Sequence, residues 1–137
     1  MKLALDVDTL QFLDPTDLDT TISAGSVRRG DILPVELQFV RAGSVIELSS
    51  PTINLYVVNA GDYDSLLASA SSFTQVGSGI ETVYEQDLDM SGAAVNALFA
   101  SGATEQDDAV LEVQFEVGGN KESSLPMDLT IHNSYTP

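Results

Sequence analysis

Apolar and polar residues alternate with a period of two in four runs of the chain. Leu33, Val35, Leu37 and Phe39 alternate with Pro34, Glu36 and Gln38. Ile53, Leu55 and Val57 share one face of the next run. In the cleanest run, Leu111, Val113, Phe115 and Val117 oppose Glu112, Gln114 and Glu116. Leu125, Met127, Leu129 and Ile131 alternate with Pro126, Asp128, Thr130 and His132. This is the repeat of strands with one face in a core and one in water. Turn signals separate them: Ala42-Gly43-Ser44 before Val45 to Leu48, Ser49-Ser50-Pro51 before Thr52, and Gly118-Gly119-Asn120 as a hairpin joining the last two strands. Gly77-Ser78-Gly79 interrupts a weaker pair, Phe73 to Val76 and Ile80 to Tyr84. The pattern predicts an all-β fold, an antiparallel β-sandwich of immunoglobulin-like or jelly-roll-like type, rather than a βα repeat.

One short helix interrupts it. Val95, Leu98 and Phe99 fall at helical spacing among alanines, with Asp89 or Ser91 as cap and Gly102 as stop. A further helical turn is expected over Tyr63 to Ser69. The first residues differ in texture. Asp6, Asp8, Asp14, Asp17 and Asp19 punctuate short apolar pieces, and Pro15 breaks them. Residues 1–22 are read as an N-terminal edge strand or arm, and 23–137 as a single sandwich domain. The tail Ser134 to Pro137 is expected to fray or to serve as a connection point.

Charge narrows the partners. The chain has 21 acids against five cations (Lys2, Arg28, Arg29, Arg41 and Lys121), a net charge of −16. Nucleic-acid phosphate and anionic membrane surfaces are disfavoured by repulsion. There is no Cys, which removes disulfides, thiolate nucleophiles and Cys-based zinc sites. The start of the chain carries no apolar stretch of secretory-signal length, so synthesis and assembly in a cytoplasm are expected.

Candidate chemistry is thin. The single histidine, His132, lies on the polar face of a strand, and no nucleophile is marked out for it. Carboxylate pairs abound: Asp6 and Asp8, Asp62 and Asp64, Asp87 and Asp89, Asp107 and Asp108. The segment Asp14 to Asp19 is the nearest approach to a calcium loop, but it lacks the glycine and the distal glutamate of an EF-hand. Arg29-Gly30-Asp31 spells the tripeptide that integrins read, yet a tight turn entering a strand explains it better. Tyr56 and Tyr84 are placed in strands, leaning over the core edge, and Tyr63 and Tyr135 outside them. Neither enzyme activity, cofactor nor metal is expected.

The stretch Val27 to Val57 runs Val-Arg-Arg-Gly-Asp-Ile-Leu-Pro-Val-Glu-Leu-Gln-Phe, a glycine turn, Val-Ile-Glu-Leu, then Ile-Asn-Leu-Tyr-Val. This resembles the N-terminal β-sandwich domain of phage baseplate upper proteins. In that family a Lys/Arg-Gly-Asp turn opens a strand of form apolar-x-apolar-x-Phe, followed by a short strand ending in Asp-Leu. Glu47-Leu48 stands where Asp-Leu is usual. The segment Gly92 to Phe99 and the hairpin Ala109 to Ile131 also resemble parts of small tailed-phage virion proteins.

The resemblance implies a structural virion protein, a baseplate or tail adaptor or a fibre-attachment module, assembled in the host cytoplasm with other virion proteins. A capsid decoration protein and a carbohydrate- or ligand-binding sandwich are the alternatives. A homo-oligomer is expected. The interface residues anticipated are Leu3, Leu5, Leu10, Phe12 and Leu13, exchanged between subunits, together with Arg28 and Arg29.

Overall fold

The computed structural model describes residues 1–99 and 106–133. The strands are β1 (Lys2–Asp6), β2 (Phe12–Asp14), β3 (Asp17–Thr21), β4 (Ala24–Arg28), β5 (Ile32–Arg41), β6 (Ser44–Ile46), β7 (Thr52–Asn59), β8 (Asp62–Ala70), β9 (Thr74–Val76), β10 (Val83–Asp89), β11 (Gln106–Val117), β12 (Asn120–Ser123) and β13 (Met127–His132). One helix, α1 (Ala93–Ala97), lies between β10 and β11. A seven-stranded sheet, A, has the order β3-β2-β1-β5-β10-β9, with β6 also on β5. A six-stranded sheet, B, has the order β4-β13-β11-β7-β8, with β12 also on β11. The expected all-β sandwich with one short helix is therefore present.

The two long strands organise the sheets. On one edge of β5, β10 pairs with Ile32 to Leu37 and β6 with Phe39 to Arg41. On one edge of β11, β13 pairs with Gln106 to Leu111 and β12 with Gln114 to Val117. Both long strands turn back through two-residue loops whose residues all have positive φ: Ala42 (51°) and Gly43 (79°), Gly118 (59°) and Gly119 (85°). That is the twist a tight hairpin requires. Where β12 gives way to β13, a side chain completes the ladder. Buried Ser124 accepts a hydrogen bond from Val113 N at Oγ (2.9 Å), and its own N–H donates to Val113 O (2.8 Å).

The core lies between the sheets, where the inward faces of β1, β5 and β10 meet those of β7, β11 and β13. Phe39 of sheet A packs on Phe115 of sheet B with ring centroids 5.0 Å apart, and edge-on against Tyr84 at 5.5 Å. Tyr84, expected at the core edge, is only 1% exposed. Its hydroxyl accepts from Leu48 N (3.0 Å) and donates to Leu48 O (3.1 Å), so the chain after β6 is fastened to β10.

Several details depart from the sequence reading. Two strand pairs are parallel, β1 with β5 and β4 with β13, because the chain crosses between the sheets after β3 and again after β4. The segment Tyr63 to Ser69 is not helical but lies in β8. Two register shifts against β7 bring Leu67 and Ala70 inward three residues apart, which imitates helical spacing. Leu125, expected on the core face, is half exposed, since Ser124 takes the buried position and β13 starts at Met127. The first strand is not at an edge: β1 lies between β2 and β5. The helix has Gly92 at its N-cap, which offers no side chain for a capping bond, while Ser91 and Asp89, the expected caps, bond each other in the turn before it. The expected stop at Gly102 and the tail Ser134 to Pro137 lie outside the described residues.

Two stability predictions follow from these contacts. Replacing Tyr84 by Phe leaves both Leu48 backbone groups unpaired and should lower stability by about 1–3 kcal/mol in urea unfolding. Burial, then the charge of Glu47, holds the Tyr84 phenol above its ordinary value, against the opposing Leu48 bond. A proton held more tightly in the folded state stabilises fully below the unfolded phenol's pKa, about 10, and is lost above it. The gap between wild type and Tyr84→Phe should thus narrow as pH rises past that value. Ala42 occupies a left-handed conformation that asparagine tolerates better, so Ala42→Asn should raise the thermal midpoint, by about 0.5–1 kcal/mol in stability.

Candidate functional site

The turn between β4 and β5 crosses from sheet B to sheet A and carries Arg29. Asp31 N donates to Arg28 O (3.4 Å), and Gly30 takes a φ of 89°, the positive value that the third position of a type II turn requires. Two further backbone bonds, Gly30 N to Met90 O (2.9 Å) and Met90 N to Asp31 O (2.8 Å), pin the turn to the end of β10. From this base the Arg29 guanidinium reaches α1 and the end of β13. Nε donates to Asn96 Oδ1 (2.9 Å), one terminal nitrogen donates to Asn133 Oδ1 (2.9 Å), and the plane lies 5.7 Å from the Phe99 ring centre. The Arg-Gly-Asp tripeptide is thus a structural crossing in which Arg29 ties two elements together. Arg28, by contrast, is exposed at the end of β4.

The anticipated N-terminal residues divide between two layers. Leu3, Leu5 and Phe12 are buried in the main core, and Leu10 packs against it. Leu13 belongs to a small second cluster on the outer face of sheet A, with Ala4, Val40, Leu18 and Val45. In this chain, then, β1 and β2 make these contacts with the chain's own strands.

The carboxylate pairs have a local use. Asp6, Asp14, Asp17, Asp62 and Asp89 each accept the backbone N–H two residues on, at 2.8 to 3.2 Å. These are Asx turns, in which the side chain closes the bend. Hydrogen bonds from Thr16, backbone then hydroxyl, hold the exposed Asp14 carboxyl below its ordinary value. Those from Ser91 do the same for Asp89, with the side-chain bond the larger cause. Among the described residues, no three His, Cys, Asp or Glu side chains converge on a metal-sized point. His132 sits on sheet B beside Arg28 and Gln106 in register, with no serine paired to it there.

What sequence reasoning missed is the outer face of sheet B. Val58 is the register partner of both Leu66 on β8 and Val110 on β11, so the three form one apolar row across the sheet. Val110 is 3% exposed yet belongs to neither core cluster. Leu66 is 49% exposed. Tyr56 lies in the adjoining row opposite Glu112, and Asp128 continues the apolar row on β13. The unbroken apolar triplet Ala109-Val110-Leu111 was the available signal: in an alternating strand it must put one apolar side chain outside.

These features define an all-β sandwich with an apolar outer row bordered by acids. No protein-family model matches the chain, and no curated protein matches it. Among solved structures the chain is similar to the "N-terminal domain of phage TP901-1 ORF48", with a TM-score of 0.46 at 12% identity, over 96% of this chain and 97% of that one.

The Arg29 bridge generates a third prediction. Arg29→Ala should cost about 1–3 kcal/mol and speed amide exchange in α1 while leaving β5 protected. Arg29→Lys should not restore protection, because a single ammonium lacks the planar fork that spans Asn96 and Asn133.

Proposed function

We propose that the protein is a structural module of a tailed-phage virion, a baseplate or tail adaptor or a fibre-attachment piece, acting by docking onto other proteins. The observation that carries the docking role is the outer face of sheet B. Leu66 is exposed there and Val58 partly so, in one row with the buried Val110, with Tyr56 beside it and Glu112 and Asp128 at its margin. An apolar centre with a charged rim suits protein recognition, and the half-buried Tyr56 flank adds contact area at low entropic cost. The phage setting is supported by the sequence resemblance of Val27 to Val57 to baseplate upper proteins. The acid excess favours a protein partner with a basic margin and disfavours nucleic acid.

An antibody against the purified protein, used in immunogold electron microscopy of phage particles from the source culture, tests this reading. Label at the tail end is expected. Label spread over the head makes the protein a capsid decoration instead, and unlabelled particles overturn the virion role. Leu66→Asp should leave the unfolding free energy of the purified protein, read in urea, within about 0.5 kcal/mol of wild type yet cut incorporation into particles about ten-fold or more.

A further inference from the structure

The strand edges of the sandwich are not equally guarded. At one edge of sheet A, β3 carries Asp17 and Asp19, and the β2–β3 register shifts beside it. At the other, β9 is three residues long. In sheet B, β8 carries Asp62 and Asp64 and two register irregularities against β7. Charges, bulges and brevity are the usual protections against a strand from another chain. Beside β5 and β11, β6 is three residues long and β12 four, with Lys121 and Glu122. The outer edge at β4 is longer than these and carries no charge or bulge over Ala24-Gly25-Ser26-Val27, its first charge being Arg28.

The ladder shows which groups this edge offers. Asp128 N donates to Ser23 O, and Arg29 N donates to His132 O, so the odd-numbered residues of β4 face β13. By the alternation of a parallel ladder, Ala24, Ser26 and Arg28 aim their backbone groups away from the sheet. Their side chains lie on the outer face, in register with Asp128, Thr130 and His132 respectively.

We propose that β4 is a self-pairing edge, joining two copies of this chain through antiparallel β4 strands centred on Ser26 into one continuous sheet. This deepens the assembly reading above and rests on it. In that register Ser26 pairs with Ser26, and Arg28 of each copy pairs with Ala24 of the other, so every outward-facing residue of the strand is used. On the inner side Val27 meets Gly25, which has no side chain to obstruct it. On the outer side Arg28 lies across the small Ala24 from Asp128 of the second copy, two strands away. That separation is about 10 Å between backbones, a gap the two side chains together close over the alanine methyl. The two-fold axis repeats the pair, so the contact is isologous. The net charge of −16 opposes self-association in general. The β4 end carries Arg28 and Arg29 close by, so repulsion is weakest there, and at physiological salt it is screened beyond about 8 Å.

Sedimentation equilibrium of the full chain at physiological salt, up to about 1 mM, reads the outcome. Wild type should shift reversibly with concentration from the 14.5 kDa monomer to twice that mass. Ser26→Pro removes an N–H that faces away from β13 and pairs with no strand among the described residues, and should raise the dimer dissociation constant about ten-fold or more with the fold intact by circular dichroism. Arg28→Glu and Asp128→Arg should each weaken the dimer, and the double variant should restore it. A wild type that stays monomeric, or a dimer indifferent to all these variants, overturns the β4 pairing while leaving particle labelling to decide the assembly role. A dimer that forms only on refolding and persists on dilution overturns it in favour of exchanged N-terminal strands. If Ser26→Pro misfolds, the charge-reversal cycle alone decides.

Discussion

The contact between Phe39 and Phe115 is the point on which the sandwich turns. Each ring stands on the longest strand of its sheet, and each of those strands runs the length of the core. Because β5 and β11 are so long, neither is matched by a single neighbour. Each is covered along one edge by two short strands in succession, and the joints between those short strands must be closed by other means. Ser124 closes one with its hydroxyl and backbone. The Tyr84 hydroxyl, reaching from β10 to Leu48, secures the chain that follows β6. These two hydroxyls therefore sit where the hydrogen-bond ladder alone cannot serve, as expected where an unpaired buried group is costly.

Electrostatics act locally in this molecule. With so few cations, the acids cannot be neutralised in pairs. The ion pair of Arg41 with Asp8, at 3.4 Å, is well exposed and contributes little. The acids find backbone N–H groups instead. Among the described residues Arg29 engages two neutral amides and an aromatic face rather than a carboxylate, and so ties elements together without an ion pair.

Much of the fold was legible because the longest strands bury one face. Residues 33–39, 53–57 and 111–117 alternate over enough cycles to declare β5, β7 and β11, and the glycine turns mark the hairpins. Direction and partnership were not legible. Nothing in Leu3-Ala4-Leu5 or Ala24-Gly25-Ser26-Val27 says that these strands run parallel to β5 and β13, since alternation is blind to the neighbour. Residues 63–69 misled because irregular pairing counterfeits a helical period. Tyr84 looked peripheral because a phenol in a core needs a partner, and the partner is the backbone of Leu48, whose position no local pattern reveals. The outer apolar row escaped notice for a related reason. Val58, Leu66 and Val110 are distant in sequence and become neighbours only once the register of three strands is set.

The Asx turns separate two properties that usually change together. An asparagine offers the same side-chain oxygen to the backbone, and Asn59 already closes such a bend onto Gly61 at 2.8 Å. The acid at each of these bends is therefore replaceable, one position at a time, without reopening the chain path it holds. Surface charge becomes a nearly independent variable, free to drift with the surrounding medium or the chemistry of a neighbour, while the sandwich beneath it stays the same.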